Sequence, residues 1–314
     1  MQAILGATGQ IAIELARELK RSYTDDLRLI SRNPRQVNGG DALVAANLLD
    51  EQQTRDAVKS AEVVYFTAGL PPDTQLWESQ FPTMLRNALS AARSAGAKFV
   101  YFDNTYMYPQ NAQLQTENTR FAPVGRKGRV REAMATMVLQ EMQRGDIPVS
   151  IARAPEFYGP GRTQSITNTL VLDPLKQGKK ARIPLRDDSL RTLIWTPDAS
   201  RAMAAIGNAD DAYGQTWHLP CSDERHTYQE WVQLAAAAFG VEPRYSVIGN
   251  LAFMAGGLVS AQVRELRELL PRYAQDNLFD SSKFKRRFPS FVGTSPAQGL
   301  EAIAREAANS ASGN

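Results

Sequence analysis

The stretch Met1-Gln-Ala-Ile-Leu-Gly-Ala-Thr-Gly-Gln-Ile-Ala12 combines a strand, a glycine turn and the start of a helix. Ala3, Ile4 and Leu5 predict a short buried strand, and Gly6, Thr8 and Gly9 a tight turn. From Gln10 the apolar residues Ile11, Ile13, Leu15, Ala16 and Leu19 recur at roughly helical spacing. Strand, glycine turn and helix N-terminus in this order form a cradle for a phosphate. Glycines let the backbone turn sharply and approach a pyrophosphate, and the free N–H groups at the positive end of the helix dipole face the anion. The spacing is G-x-x-G-x-x-A. Ala12 therefore stands where the dinucleotide fingerprint has its third glycine, a position that governs helix–strand packing and tolerates alanine. By itself the pattern also fits an ordinary strand, turn and helix, and the surrounding chain decides between them.

Outward from this stretch, strands are predicted at 27–31, 42–46, 62–67, 98–103 and 149–152, with helices between them at 51–60, 77–95 and 128–144. The strands are short and apolar without alternation, as required when helices cover both faces of a parallel sheet. The expected architecture is α/β: a Rossmann-type, doubly wound parallel sheet with helices on both faces and a smaller C-terminal substrate lobe. Beyond Arg153 the rhythm loosens. Pro155, Gly159, Pro160 and Gly161 form a loop, and 166–177 reads as helix, 181–184 and 192–195 as short strands, 199–207 as helix and 216–219 as a strand. Thr227 and Glu230 predict a capping box opening a helix that runs to Phe239. The expected division is 1–153 as a cofactor-binding domain, 154–306 as mainly a substrate lobe with strands returning to the main sheet, and 307–314 as a flexible tail.

Composition narrows the function. The 36 basic and 33 acidic residues are interspersed and leave a net charge of only +3, so no nucleic-acid footprint is expected. Cys221 is the only cysteine, which excludes an intrachain disulfide and suits a reducing cytoplasm. A strand entered at once, at Ala3, leaves no room for a signal peptide, no apolar run approaches membrane-spanning length, and a cytoplasmic protein with no membrane partner is expected. His218 and His226 are the only histidines and neither lies in a cluster with ligand spacing, so no metal site is expected.

The chain resembles the extended short-chain dehydrogenase/reductase superfamily, in its group of NAD-dependent epimerase/dehydratase-like proteins. The resemblance rests on Gly6-Ala-Thr-Gly-Gln-Ile-Ala12, Asn47-Leu48, Thr105-Tyr-Met-Tyr-Pro109, Arg153-Ala-Pro-Glu-Phe-Tyr-Gly-Pro-Gly161, Ile194-Trp-Thr-Pro-Asp198 and Phe279-Asp-Ser-Ser-Lys283. It implies a dinucleotide lying on Gly6, Thr8, Gly9, Gln10 and Ile11. Asn47 and Leu48 would border the adenine, Thr67, Ala68 and Gly69 would line the cofactor's middle, and Pro155 and Phe157 would stand beside the nicotinamide end. An NAD enzyme usually carries Asp or Glu at the end of the second strand to hold the ribose hydroxyls. Here the segment is Leu29-Ile-Ser-Arg-Asn-Pro-Arg35. Ser31, Arg32 and Arg35 suit a 2′-phosphate, because a guanidinium pairs with it bidentately and a hydroxyl adds a donor. NADP(H) is expected in preference to NAD(H).

The superfamily's usual Tyr-x-x-x-Lys pair is missing. Aligning Pro123 and Glu132 with the family pattern puts Val124 at the tyrosine and Gly128 at the lysine, and neither can move a proton. Lys127 stands one residue out of register, within reach of the cofactor's ribose if the helix starts differently, and at the end of the fifth strand Asn104 occupies the usual Ser/Thr position with Thr105 following. Two readings follow. In one, Tyr106 takes over proton transfer with Thr105 and Lys127 beside it, and the protein acts by hydride transfer on a small polar metabolite as an oxidoreductase or epimerase. In the other, Tyr106 is a wall residue and the protein is a catalytically inactive NADP(H)-binding sensor or regulator. Arg162 and Arg191 are candidates for an anionic group such as a diphosphate, Glu156 is a secondary acid/base candidate, and Asp198 is expected to cap the following helix. The superfamily often forms dimers, so a homodimer is expected.

Overall fold

The computed structural model describes residues 1–161 and 163–312. The chain divides into two units. The first comprises Met1–Tyr108, Arg120–Ala154 and Ala199–Leu219; the second comprises Pro109–Thr119, Pro155–Asp198 and Pro220–Asn314.

The first unit is built on a seven-stranded sheet. Its elements in chain order are β1 (Gln2–Leu5), α1 (Gln10–Ser22), β2 (Leu27–Ser31), β3 (Ala42–Ala45), α2 (Glu51–Ala57), β4 (Val63–Phe66), α3 (Thr74–Ala95), β5 (Lys98–Asp103), α4 (Gly125–Arg144) and β6 (Val149–Arg153). A last strand, Gln215–His218, closes the edge beside β6. The order across the sheet is Gln215–His218, β6, β5, β4, β1, β2, β3, and every pairing is parallel. The Rossmann-type sheet expected from the sequence is present. The direction of winding reverses between β1 and β4, and in such sheets the crevice outside the carboxyl ends of the strands at that reversal is where ligands bind.

Strands β1, β4 and β6 are buried along their whole length, in keeping with their mainly apolar, non-alternating sequences. Edge strand β3 differs and is largely exposed. The core joins Leu5, Ile30, Val64, Phe66, Phe99 and Ile151 of the strands to Phe81, Leu85, Met134 and Val138 of the helices. Helix α3 starts at Thr74, earlier than its apolar pattern predicts, because Asp73 caps it by accepting from the Leu76 N–H at 2.9 Å. Helix α4 likewise starts at Gly125.

The second unit carries three two-stranded pairings: Glu156–Tyr158 with Leu193–Trp195, Leu190–Arg191 with His226–Thr227, and Ala181–Pro184 with Tyr245–Ile248. Its core gathers Tyr158, Leu175, Trp195, Trp231 and Leu300. The capping box at Thr227 and Glu230 is formed, and its helix is Tyr228–Phe239. Three expectations change. The segment expected as one helix over 166–177 contains a π-helical turn, Asn168–Leu172, before an α-helical Asp173–Lys176. The helix expected from 199 begins at Thr196. The tail expected over 307–314 is helical as far as Ser312, within Pro296–Ser312, where it continues a helix with Leu300 and Ile303 in the core. Among the described residues no helix is long and apolar enough to cross a membrane.

Gly6 is a constraint the fold imposes on itself. Its φ is +90°, and a Cβ placed there would lie 2.4 Å from the Ala68 Cα on the exit of β4. Gly9 has no such neighbour, since a Cβ there meets only the Gly6 carbonyl at 3.9 Å. Gly6→Ala therefore adds positive-φ strain to a backbone clash and is expected to lose about 2–5 kcal/mol. Gly9→Ala is expected to lose less than about 1 kcal/mol. Urea unfolding of the two variants measures the difference.

Candidate cofactor and active site

The turn between β1 and α1 is held by its neighbours. The N–H groups of Gly6 and Ala7 both donate to the Ile30 carbonyl of β2, at 2.9 and 3.1 Å. On the β4 side the Thr67 N–H and Oγ1 donate to the Leu5 carbonyl, at 2.9 and 3.0 Å. Gly6 thus sits where β1, β2 and β4 converge. Helix α1 begins with Gly9 as its N-cap, and no side chain caps it. Thr8 and Gly9 are exposed, Gln10 is half-buried, and Ile11 is buried with its carbonyl taken by Ser200 Oγ at 2.9 Å. Gln10 Oε1 is buried with no hydrogen-bond partner among the described residues. Gly69 is exposed beside buried Ala68. An uncapped helix end, with open space over Gly9, fits the pyrophosphate of a dinucleotide.

At the end of β2 the Ser31 hydroxyl is buried and has no hydrogen-bond partner among the described residues. Arg32 and Arg35 are exposed, with no ion pair or hydrogen bond of either side chain among them. The nearest carboxylate in the following loop, Asp41, accepts from the N–H groups of Val37 and Asn38 at 3.3 and 2.6 Å, which occupies it with shaping that loop. Asn47 is exposed and its side chain accepts from the Leu49 N–H at 3.2 Å. Buried Leu48 gives its carbonyl to Asn87 Nδ2 at 2.9 Å.

Where β5 ends, Asn104 Oδ1 accepts from the Tyr106 N–H at 3.0 Å and turns the chain, and the carbonyl of buried Thr105 accepts from Tyr108 N–H at 3.1 Å. The Tyr106 ring then stacks on Trp77 of α3, with centroids 6.1 Å apart and planes 10° from parallel. Lys127 of α4 is fully buried. Its Nζ lies 6.0 Å from the Trp77 centroid and donates to Thr74 Oγ1 at 2.7 Å. The structure therefore brings Tyr106 and Lys127 to one ring, and Trp77 and Thr74 are partners that sequence reasoning did not single out. Gly128 shows why its position carries no side chain: a Cβ would lie 2.9 Å from the Tyr106 carbonyl. Val124 is the half-exposed N-cap of α4.

Beneath this turn lies a buried polar chain, also unforeseen. Arg153, at the end of β6, holds Asp103 Oδ2 through Nε and Nη2, both at 3.0 Å. Its Nη1 donates to Tyr108 Oη at 2.6 Å, and that hydroxyl meets His218 Nε2 at 2.8 Å. Asp103, Arg153 and His218 stand at the carboxyl ends of three adjacent strands, so the chain clamps that edge of the sheet.

Other candidates lie in the second unit. Pro155 is buried, and Phe157 is half-buried on a strand where it pairs with Ile194 and accepts from Ser165 Oγ at 2.5 Å. Arg191 is buried and paired with Glu156 at 2.5 Å, while Arg191 Nε and Glu156 Oε2 are buried with no hydrogen-bond partner among the described residues. Asp198 lies within the first turn of Thr196–Gly207, not ahead of it as expected, and accepts from the Thr294 N–H at 2.5 Å. Arg162 lies outside the described residues. Burial pushes the Cys221 thiol and the Tyr158 hydroxyl well up and keeps both protonated, in keeping with packing roles. No group of three His, Cys, Asp or Glu side chains able to hold a metal occurs among the described residues.

This parallel sheet with a glycine turn at its winding reversal defines a nucleotide-binding class of fold. Residues 3–218 match the family model for the NAD dependent epimerase/dehydratase family, and the chain belongs to that family. No match was found among curated proteins. Solved structures share the fold at low identity. MoeE5 in complex with UDP-glucose and NAD is 20% identical over 99% of both chains, with a TM-score of 0.77. UDP-glucuronic acid 4-epimerase from Bacillus cereus in complex with NAD is 15% identical over 98% of this chain and 99% of that one, at 0.79. UDP-glucose 4-epimerase from Thermus thermophilus with NAD is 13% identical with the same coverage, at 0.78.

Asp103→Asn strands a buried guanidinium and is expected to lose about 3–5 kcal/mol. Asp103→Leu combined with Arg153→Met, which removes both charges, is expected to lose less. Denaturant midpoints of the single and double variants make the comparison.

Proposed function

We propose that the protein is an NADP(H)-dependent oxidoreductase or epimerase acting at a carbonyl or hydroxyl carbon of a small polar metabolite, with Tyr106 in place of the missing Tyr-x-x-x-Lys pair. The observation that carries this reading is the meeting of Tyr106 and Lys127 on Trp77, just beyond the carboxyl end of β5. The bound dinucleotide supplies reversible hydride transfer. The chain's own residues do the rest. Gly6, Gly9 and the N-terminal N–H groups of α1 bind the pyrophosphate, with Gln10 and Ile11 opening the helix. Asn47 and Leu48 border the adenine, and Thr67, Ala68 and Gly69 line the middle of the cofactor. Ser31, Arg32 and Arg35 hold the 2′-phosphate, which is supported by two exposed guanidinium groups without partners among the described residues and by the absence of a free carboxylate at that point.

In this reading the Tyr106 hydroxyl gives its proton to the substrate oxygen as a carbonyl is reduced and takes it back in the reverse direction. Lys127, buried beside the Trp77 ring on which Tyr106 stacks, favours the phenolate through its charge in this reading. Asn104 fixes the turn that presents Tyr106, and Thr105 sits behind it. A second reading, an inactive NADP(H)-binding sensor, is favoured by one observation: Lys127 Nζ already donates to Thr74 Oγ1.

Assays of carbonyl and hydroxyl substrates with NADPH and NADP+ separate the two. An active parent whose Tyr106→Phe variant loses about 100-fold or more in kcat while still binding NADPH supports the first reading. A variant with full activity removes Tyr106 from the chemistry, and a parent inert on every substrate yet binding NADPH supports the sensor.

A further inference from the structure

In the second unit the helix Asn250–Val259 carries its large apolar side chains on the outside. Leu251, Met254, Leu258 and Val259 are 81%, 52%, 82% and 89% exposed, and Ala252 and Ala255 between them are exposed too. Buried Phe253 and Gly257 and half-buried Gly256 form the opposite face. That face packs on the helix Ala261–Arg267. A Cβ on Gly256 would meet Val263 Cγ1 at 3.2 Å, and one on Gly257 would meet Arg267 Cδ at 2.9 Å. A helix on the surface of a globular unit ordinarily turns its large apolar side chains inward. Here two glycines face inward, and the leucines, methionine and valine line the outer face. The chain carries no charged residue from 245 to 263, so nothing along the stripe favours water. An exposed apolar stripe of this kind marks a contact surface.

The surroundings of the stripe are basic at both ends. Arg264 Nη1 donates to the Gly257 carbonyl at 3.3 Å, and the Arg267 stem lies on Gly257, so two exposed arginines border the last turn of the helix. Glu265 and Glu268 beside them are half-buried. At the other end the helix follows the parallel pair Ala181–Pro184 and Tyr245–Ile248, four residues or about 13 Å long. The Ala181 N–H donates to the Arg244 carbonyl at 2.9 Å, which sets Lys180 and Arg182 beside Arg244 at the start of that pair. All three are exposed, with no ion pair among the described residues. Between 174 and 185 the chain carries four cations and no carboxylate, and Glu242 is the exposed acid near Arg244.

A ten-residue helix offers a stripe about 15 Å long and about 10 Å wide, well short of the about 800 Å² that each partner brings to a stable protein interface. A lipid surface asks for less. The apolar face of a helix enters the boundary between headgroups and acyl chains, and nearby cations hold anionic headgroups. We propose that this helix lies in the surface of an anionic lipid bilayer, with Leu251, Met254, Leu258 and Val259 at the acyl-chain boundary and the neighbouring arginines and lysines on the headgroups. The expectation of no membrane partner came from the length of the apolar runs, and a helix lying in the interface has no spanning length to meet. This surface is independent of the proposed function: it concerns where the protein is held, whatever it converts.

The test is sedimentation of the full chain with sucrose-loaded vesicles, one set of phosphatidylcholine alone and one an equal mixture of phosphatidylcholine and phosphatidylserine, at low and at high salt. The parent is expected to pellet with the mixed vesicles at low salt, bound about tenfold tighter or more than to phosphatidylcholine, and to lose most of that preference at high salt. Leu251→Asn combined with Leu258→Asn is expected to weaken binding about tenfold or more, and both positions are exposed enough for the fold to stand. Lys180→Gln combined with Arg182→Gln is expected to weaken binding to the mixed vesicles about tenfold and to leave phosphatidylcholine unaffected. A parent that stays in solution with both vesicles, equal binding to the two, or a leucine variant that binds as the parent does overturns the proposal. Light scattering without lipid checks the other occupant. A parent dimer that the leucine variant converts to monomer assigns the stripe to a second copy of this chain and likewise overturns the proposal.

Discussion

The close approach of Gly6 to Ala68 is the constraint on which the rest depends. Strands β1 and β4 run side by side, Leu5 opposite Phe66, and immediately beyond that pair the two chains leave the sheet with less than one side chain's room between them. Only a residue without a Cβ lets β1 turn there at positive φ and deliver α1 with its N-terminus facing outward. The hydrogen bonds from Gly6 and Ala7 to β2, and from Thr67 back to β1, hold that exit fixed. The uncapped end of α1, the cradle over Gly9 and the position of Ser31 all follow from where the turn is pinned.

A second constraint acts at the other side of the same sheet edge. The ion pair of Asp103 with Arg153, extended through Tyr108 to His218, ties β5, β6 and the last strand together at their carboxyl ends. The turn carrying Asn104, Thr105 and Tyr106 leaves β5 from directly after Asp103, so the clamp anchors the segment that presents Tyr106 to Trp77. Buried charges of this kind contribute little net stability, but removing one partner is costly, so such a clamp holds its geometry strongly.

The parallel sheet was legible because its signals are local. Short apolar runs alternate with helical ones, glycine follows the first strand, and strands 27–31 and 98–103 are found at those residues. Helix starts were less legible: α3 and α4 each begin three residues early, where a cap or a glycine, and not an apolar stripe, sets the boundary. The glycine turn after β1 could be read from spacing because its residues are nearly contiguous in the chain. Partnerships across long separations could not. Trp77 meets Tyr106 and Lys127 from a third element, and Arg191 is turned inward by Glu156, 35 residues earlier. An isolated arginine in a sequence looks the same whether it faces a ligand or a buried carboxylate, and this one faces the carboxylate.

In the proposed function the turn after β1 and the end of β2 together hold a 2′-phosphorylated nicotinamide dinucleotide. Fluorescence titration of the protein with NADPH and with NADH, repeated on Arg32→Ala, tests it most directly. NADPH is expected to bind at least about tenfold tighter than NADH, with most of that preference lost in the variant. NADH bound as tightly as NADPH would contradict the assignment of Ser31, Arg32 and Arg35, and binding of neither would contradict the reading of the glycine turn itself.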